Sequence, residues 1–146
     1  MAVMAEAGTQ QYRQELTVHP QNLERIRRIT GAYLRYWGRD ELVEPAAMCV
    51  TELLSNVHKH AGSAACVLLL QISPSGVRIV VSDDSPALPV VREPNRFAES
   101  GRGMFLLSKT VDAWGANPTG SGKDVWVEFH ASAEGAAACT RYPAWT

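Results

Sequence analysis

Residues 45–61 read PAAMCVTELLSNVHKHA. At about 100° per residue, Ala46, Ala47, Val50, Leu53, Leu54, Val57 and Ala61 fall within about 100° of one another, a stripe wide enough to face a core. Glu52, Asn56, Lys59 and His60 stand at i, i+4, i+7 and i+8 and form one polar ridge on the other side, with Met48 and Cys49 among them. The pattern predicts a helix that begins near Pro45, a residue tolerated at a first helical position, and ends at Gly62. A ridge of this kind suits a solvated face. It also suits phosphate chemistry: a carboxylate can orient or deprotonate a hydroxyl, an amide oxygen is a hard ligand for Mg²⁺, and an ammonium brings charge to phosphate.

Upstream, PQNLERIRRITGAYLRYWG (residues 20–38) repeats Leu23, Ile26, Ile29, Tyr33, Leu34 and Trp37 at three- and four-residue steps, and Gly38 stands where a terminating glycine belongs. A first helix follows, preceded by a strand over Tyr12–Val18. Downstream, Ala65–Ser73 and Gly76–Ser82 are apolar, β-branched runs split by Pro74-Ser75, which predicts a hairpin. Residues 84–100 form a loop. A third helix carries Met104, Leu106, Leu107 and Val111, a short strand lies near Trp114, and a final strand spans Lys123–His130. Strands and helices mix without strict alternation, so the expected fold is α+β, a two-layer sandwich with one mixed sheet and helices on one face.

The chain has 146 residues, 46% of them hydrophobic, which suits one domain over 11–131 between a short polar N-terminus (1–10) and an Ala-rich tail (132–146). Lys and Arg total 14 against 15 Asp and Glu, with no long block of either sign, so the footprint of a general nucleic-acid binder is missing. Cys49, Cys66 and Cys139 lack metal-ligand spacing and are odd in number, which points to free thiols in a reducing cytoplasm. No apolar run approaches the roughly 20 residues of a membrane span, and no secretory leader pattern is present. Tyr33, Tyr36, Trp37 and Trp114 suit core or interface positions, and Arg25, Arg27, Arg28 and Arg35 suit a solvated helix face.

Two further motifs follow the polar ridge. The strand ending at Ser82 delivers Asp83, and Gly101-Arg102-Gly103-Met104 opens the third helix, where backbone N–H groups can approach phosphate. The string ELLSNVHKHA (Glu52–Ala61) resembles the Asn-containing box of Bergerat-fold ATP-binding domains, the superfamily of gyrase and the histidine kinases. It is most similar to the bacterial anti-sigma factors with serine/threonine kinase activity, which carry Glu three residues before the Ser that precedes the Asn, and His four after it. Asp83, the Gly101–Gly103 box and the GKDVW strand (residues 122–126) match that family's later motifs in order, so the resemblance covers residues 12–130.

The resemblance implies Mg-ATP as ligand, with Glu52 as general base or orienting carboxylate, Asn56 as Mg²⁺ ligand, Lys59 on phosphate and His60 packed near the adenosine. Asp83 would accept a hydrogen bond from the adenine amino group. Gly101, Gly103 and the N–H groups that follow, through Met104, would hold the phosphates, with Arg102 as added positive charge and residues 84–100 as a lid. It further implies a sigma factor and an anti-anti-sigma protein as partners, and a homodimer. Ser85 and Ala87 occupy two glycine positions of the family pattern and would add steric cost if those glycines adopt φ > 0 or let the backbone approach nucleotide. Asp124 occupies a Thr or Ser position and would crowd Asp83 with like charge unless Lys123 offsets it. These departures leave a non-catalytic regulatory binding module as the alternative to a kinase, and a conformational-clamp ATPase as a third reading.

Overall fold

The computed structural model describes residues 10–60, 64–87 and 102–131. In chain order they form β1 (Gln10–Thr17), α1 (Leu23–Tyr36), α2 (Val43–His60), β2 (Ala65–Ser73), β3 (Gly76–Asp83), α3 (Arg102–Thr110), β4 (Ala113–Pro118) and β5 (Lys123–His130), with single 3₁₀ turns over Pro20–Asn22 and Asp40–Leu42. Residues 1–9 of the expected N-terminal segment (1–10), residues 88–100 of the expected lid (84–100) and the tail beyond residue 131 lie outside the described residues, and Gln10 already belongs to β1.

The strands form one five-stranded sheet in the order β1-β2-β3-β5-β4. Every hydrogen-bonded pair is antiparallel, where a mixed sheet was expected. The reason is topological. The crossover through α3 carries β4 past β3 to the sheet edge in the parallel sense, and β5 then folds back between them, so no parallel pair shares a ladder. Alternate residues of the central strands are buried on one face: Leu68 and Leu70, then Val77, Ile79 and Val81, then Val125, Val127 and Phe129. Against them pack Ala46, Cys49, Val50, Leu53, Leu54 and Val57 of α2, Ile26 and Leu34 of α1, and Met104 and Leu107 of α3. The two-layer α+β sandwich is therefore as the sequence predicts.

Helix α1 ends as Gly38 dictates. Gly38 has φ +78°, its N–H donates to the Arg35 carbonyl at 3.0 Å, and the Arg39 N–H donates to the Leu34 carbonyl at 2.7 Å. That pair of bonds is a Schellman closure, which needs a left-handed residue at this position. Tyr12 of β1 stacks on Tyr33 of α1 with ring centroids 4.3 Å apart, and Trp37 donates from Nε1 to Gln10 Oε1 at 3.1 Å, tying the edge strand to the helix layer. Tyr33, Trp37 and Trp114 are thus packed aromatics, whereas Tyr36 is exposed. Arg25, Arg27, Arg28 and Arg35 lie on the solvent side of α1.

Helix α2 starts at Val43, earlier than expected, with Pro45 still in the first turn, where a missing N–H costs no intrahelical bond. Cys49 corrects the helical-wheel assignment. It is fully buried and belongs with Ala46, Val50, Leu53 and Val57 rather than with the polar ridge. Burial, and then the nearby Glu52 carboxylate, pushes its thiol up to about 12.

Candidate functional site

The β3–β5 register pairs Asp83 with Lys123 and Ser82 with Asp124. Because side chains alternate across a strand, Asp83 and Lys123 share the face that carries the helices, while Ser82 and Asp124 point to the opposite face. Lys123 Nζ lies 3.0 Å from both Asp83 Oδ1 and Oδ2, and 3.3 Å from the Ser85 carbonyl oxygen. The two side chains are only 5% and 3% exposed. Asp124 instead accepts a hydrogen bond from Ser82 Oγ at 2.6 Å. The like-charge crowding expected from Asp124 is absent because a lysine, not an aspartate, faces Asp83.

The chain after Asp83 is held locally. The Ser85 N–H donates to Asp83 Oδ1 at 2.9 Å, and the Ala87 N–H donates to Ser85 Oγ at 3.2 Å. These are an Asx turn followed by a Ser turn, two compact ways for polar side chains to satisfy backbone donors. No described non-glycine residue has positive φ, so Ser85 and Ala87 adopt their conformations without the left-handed strain that the glycine pattern suggested. Gly122 completes the arrangement. A Cβ built there would lie 1.9 Å from the Asp83 carbonyl oxygen and 2.7 Å from Asp84 Cα. Only glycine lets the β4–β5 turn press against the end of β3 and bring Lys123 alongside Asp83.

Of the ridge on α2, Glu52 and Asn56 are half-buried and Lys59 is exposed. Glu52 and Asn56, one turn apart, flank the buried stripe. The side chain of His60 lies outside the described residues, as does Gly101. Helix α3 begins at Arg102, so the N–H groups of Arg102, Gly103 and Met104 fall in its first turn and have no partner within the helix. Met104 sends its side chain into the core at 3% exposure, which leaves its backbone as the part able to meet a ligand.

An open cleft of about 680 Å³ lies where β1 and β3 end and β2 and β5 begin, lined in part by Cys66, Asp83, Asp84, Thr119, Ser121 and Asp124. Among the described residues it takes in Asp83 but none of Glu52, Asn56 and Lys59. The Cys66 thiol is pushed up to about 11, by burial first and then by the neighbouring Asp83 carboxylate.

The family model of the histidine kinase-like ATPase domain matches residues 16–129, from β1 through β5. The chain belongs to this family. No match appears among curated proteins. Membership of the histidine kinase-like ATPase family supports ATP binding, and the residues present can be tested for fit. Asp83 offers a carboxylate acceptor on the sheet face that carries α2 and α3, whereas the cleft also takes in Ser82 and Asp124 of the opposite face. Among the described residues no group of three His, Cys, Asp or Glu side chains could hold a metal ion by itself. Asn56, half-buried on α2, is a hard oxygen donor of the kind that suits a magnesium ion held mainly by nucleotide phosphates and water.

The sequence raises Lys123 as an offset to charge near Asp83, but not the direct ion pair nor the Ser85 N–H that also holds the carboxylate. The signal for Lys123 was present as the Gly-Lys pair opening the last strand. What the sequence lacked was the register that sets it opposite Asp83.

Proposed function

We propose that this domain is an ATP-dependent serine/threonine protein kinase of the anti-sigma-factor type, which sequesters a sigma factor and phosphorylates an anti-anti-sigma protein. The observation that carries the reading is the placement of Glu52 and Asn56 one turn apart on the half-buried flank of α2, within a domain whose family uses ATP. In the proposed transfer, a substrate hydroxyl oxygen forms a bond to the γ-phosphorus as the bond to the β,γ-bridging oxygen breaks. ADP leaves, and the hydroxyl proton passes to the Glu52 carboxylate. Positioning and charge neutralisation supply most of the catalysis in such a reaction, which suits a site with one carboxylate and few charged groups. Asn56 would hold the Mg²⁺, which neutralises charge on the phosphates when bound. The first N–H groups of α3 would receive phosphate oxygens at the positive end of the helix dipole.

A second reading, a non-catalytic regulatory module, draws on the engagement of Asp83 by Lys123, which an incoming base has to share. One experiment separates the two. The purified protein is incubated with labelled ATP, Mg²⁺ and candidate anti-anti-sigma proteins, alongside the Glu52→Ala and Asn56→Ala variants. The kinase reading expects transfer to a Ser or Thr of the partner and a loss of at least ~100-fold on removing the Glu52 carboxylate. Partner capture that survives Asn56→Ala and excess EDTA, with no transfer, supports the binding module instead.

A further inference from the structure

Counting donors and acceptors around Asp83 leads past the family expectation. An ammonium has three N–H donors and no acceptor, and an ionised carboxylate has four acceptor positions, two on each oxygen. Lys123 Nζ meets Asp83 Oδ1, Asp83 Oδ2 and the Ser85 carbonyl, so all three of its donors are used within the protein. Asp83 Oδ1 receives both Lys123 and the Ser85 N–H and is full. Asp83 Oδ2 receives Lys123 alone among the described residues. One acceptor position of the four is left.

We infer that Lys123 is a specificity-determining positioning residue: it leaves the base-reading carboxylate with a single acceptor position, matched to a purine that offers one amino donor. This rests on the ATP-binding reading of the site. Adenine presents an amino group to a single acceptor. Guanine presents two adjacent donors, its ring N–H and its 2-amino group, and is well held by a carboxylate only when each oxygen has a free position. With Oδ1 filled, the second guanine donor finds no acceptor and its desolvation is not repaid. Lys123 has no N–H left for the guanine carbonyl, so it acts through Asp83 and not on the base. The Asx turn at Ser85 and the close approach of Gly122 fix this geometry from both sides.

The test is a competition measurement at pH 8 with ATP, GTP and ITP on the purified chain and on Lys123→Met. ITP carries the same ring N–H as GTP and lacks the 2-amino group, so the GTP-to-ITP ratio reads whether a second acceptor is open. In the wild-type chain ATP binds best, and GTP gains nothing over ITP. In Lys123→Met, Oδ1 regains a position, and GTP improves relative to ITP by about tenfold, the size of one charge-assisted hydrogen bond. A merely structural role for Lys123 would weaken all three nucleotides in proportion, and that result overturns the inference. If Lys123→Met does not fold, the wild-type ratio decides alone: GTP favoured over ITP by about tenfold overturns the inference, and equal binding upholds it. A chain that binds ATP but fails these comparisons loses only this inference, whereas a chain that binds no nucleotide loses the ATP-binding reading with it.

Discussion

At the scale of single residues, Asp83 and Lys123 form a buried ion pair whose attraction is largely offset by the cost of taking both charges out of water. Removing one partner is therefore worse than removing both. Asp83→Ala strands an ammonium beside the Ser85 carbonyl and should cost about 3–5 kcal/mol, whereas Asp83→Leu combined with Lys123→Met should recover most of that loss. Denaturant unfolding of Asp83→Leu, Lys123→Met and their double variant closes the cycle. A single-variant loss under about 1 kcal/mol would mean that the pair behaves like an exposed one. Arg13 with Glu15 and Arg28 with Glu24, with side chains at least half exposed, are bridges of that weaker sort.

Among the elements, the β4–β5 turn sets the site. Gly120 and Gly122 sit in the same turn and have opposite surroundings: nothing lies within 4 Å of a Cβ at Gly120, while one at Gly122 would strike the backbone of Asp83. Gly120→Ala should change stability by less than about 0.5 kcal/mol, and Gly122→Ala should cost about 2 kcal/mol or more by forcing the turn away from β3. Thermal melts of the pair check this, and equal melting temperatures would remove Gly122 from the account. The elements themselves were readable in the sequence. The bounds of β2 and β5 follow from their apolar runs and the Pro74-Ser75 break, and the end of α1 from Gly38. Pairing was not, because an antiparallel register is decided by which strands meet and where their turns close, and residues 83 and 123 are far apart in the chain. Cys49 was misplaced for a related reason: a helical wheel ranks positions by angle, but the width of the buried stripe depends on what packs against it, and here both α1 and the sheet do.

The whole molecule places two thiols in one hydrophobic core between sheet and helices. Cys49 and Cys66 are pushed up to about 12 and about 11 from an ordinary value of 9.0, so each is protonated in the folded chain where the unfolded chain would begin to ionise. Above pH 9 the unfolded state binds fewer protons, and folding stability falls as pH rises toward 11–12; below pH 9 this contribution is fully present. Urea midpoints at several pH values between 8 and 11 should show the decline, and a Cys49→Ala, Cys66→Ala double variant should show a shallower one; identical slopes would assign the decline to other groups. The strand order has its own consequence, in the time course of synthesis. Central strand β3 leaves the ribosome before β5, and Lys123 is translated 40 residues after Asp83. At typical elongation rates that is a delay of roughly 2–8 s. During it β3 offers an open edge to other chains, and Asp83 waits without the cation that will hold it. A nascent chain at that stage is exposed to chaperones and to aggregation, and it completes the Asp83–Lys123 pair only when its last described strand slots between two already made.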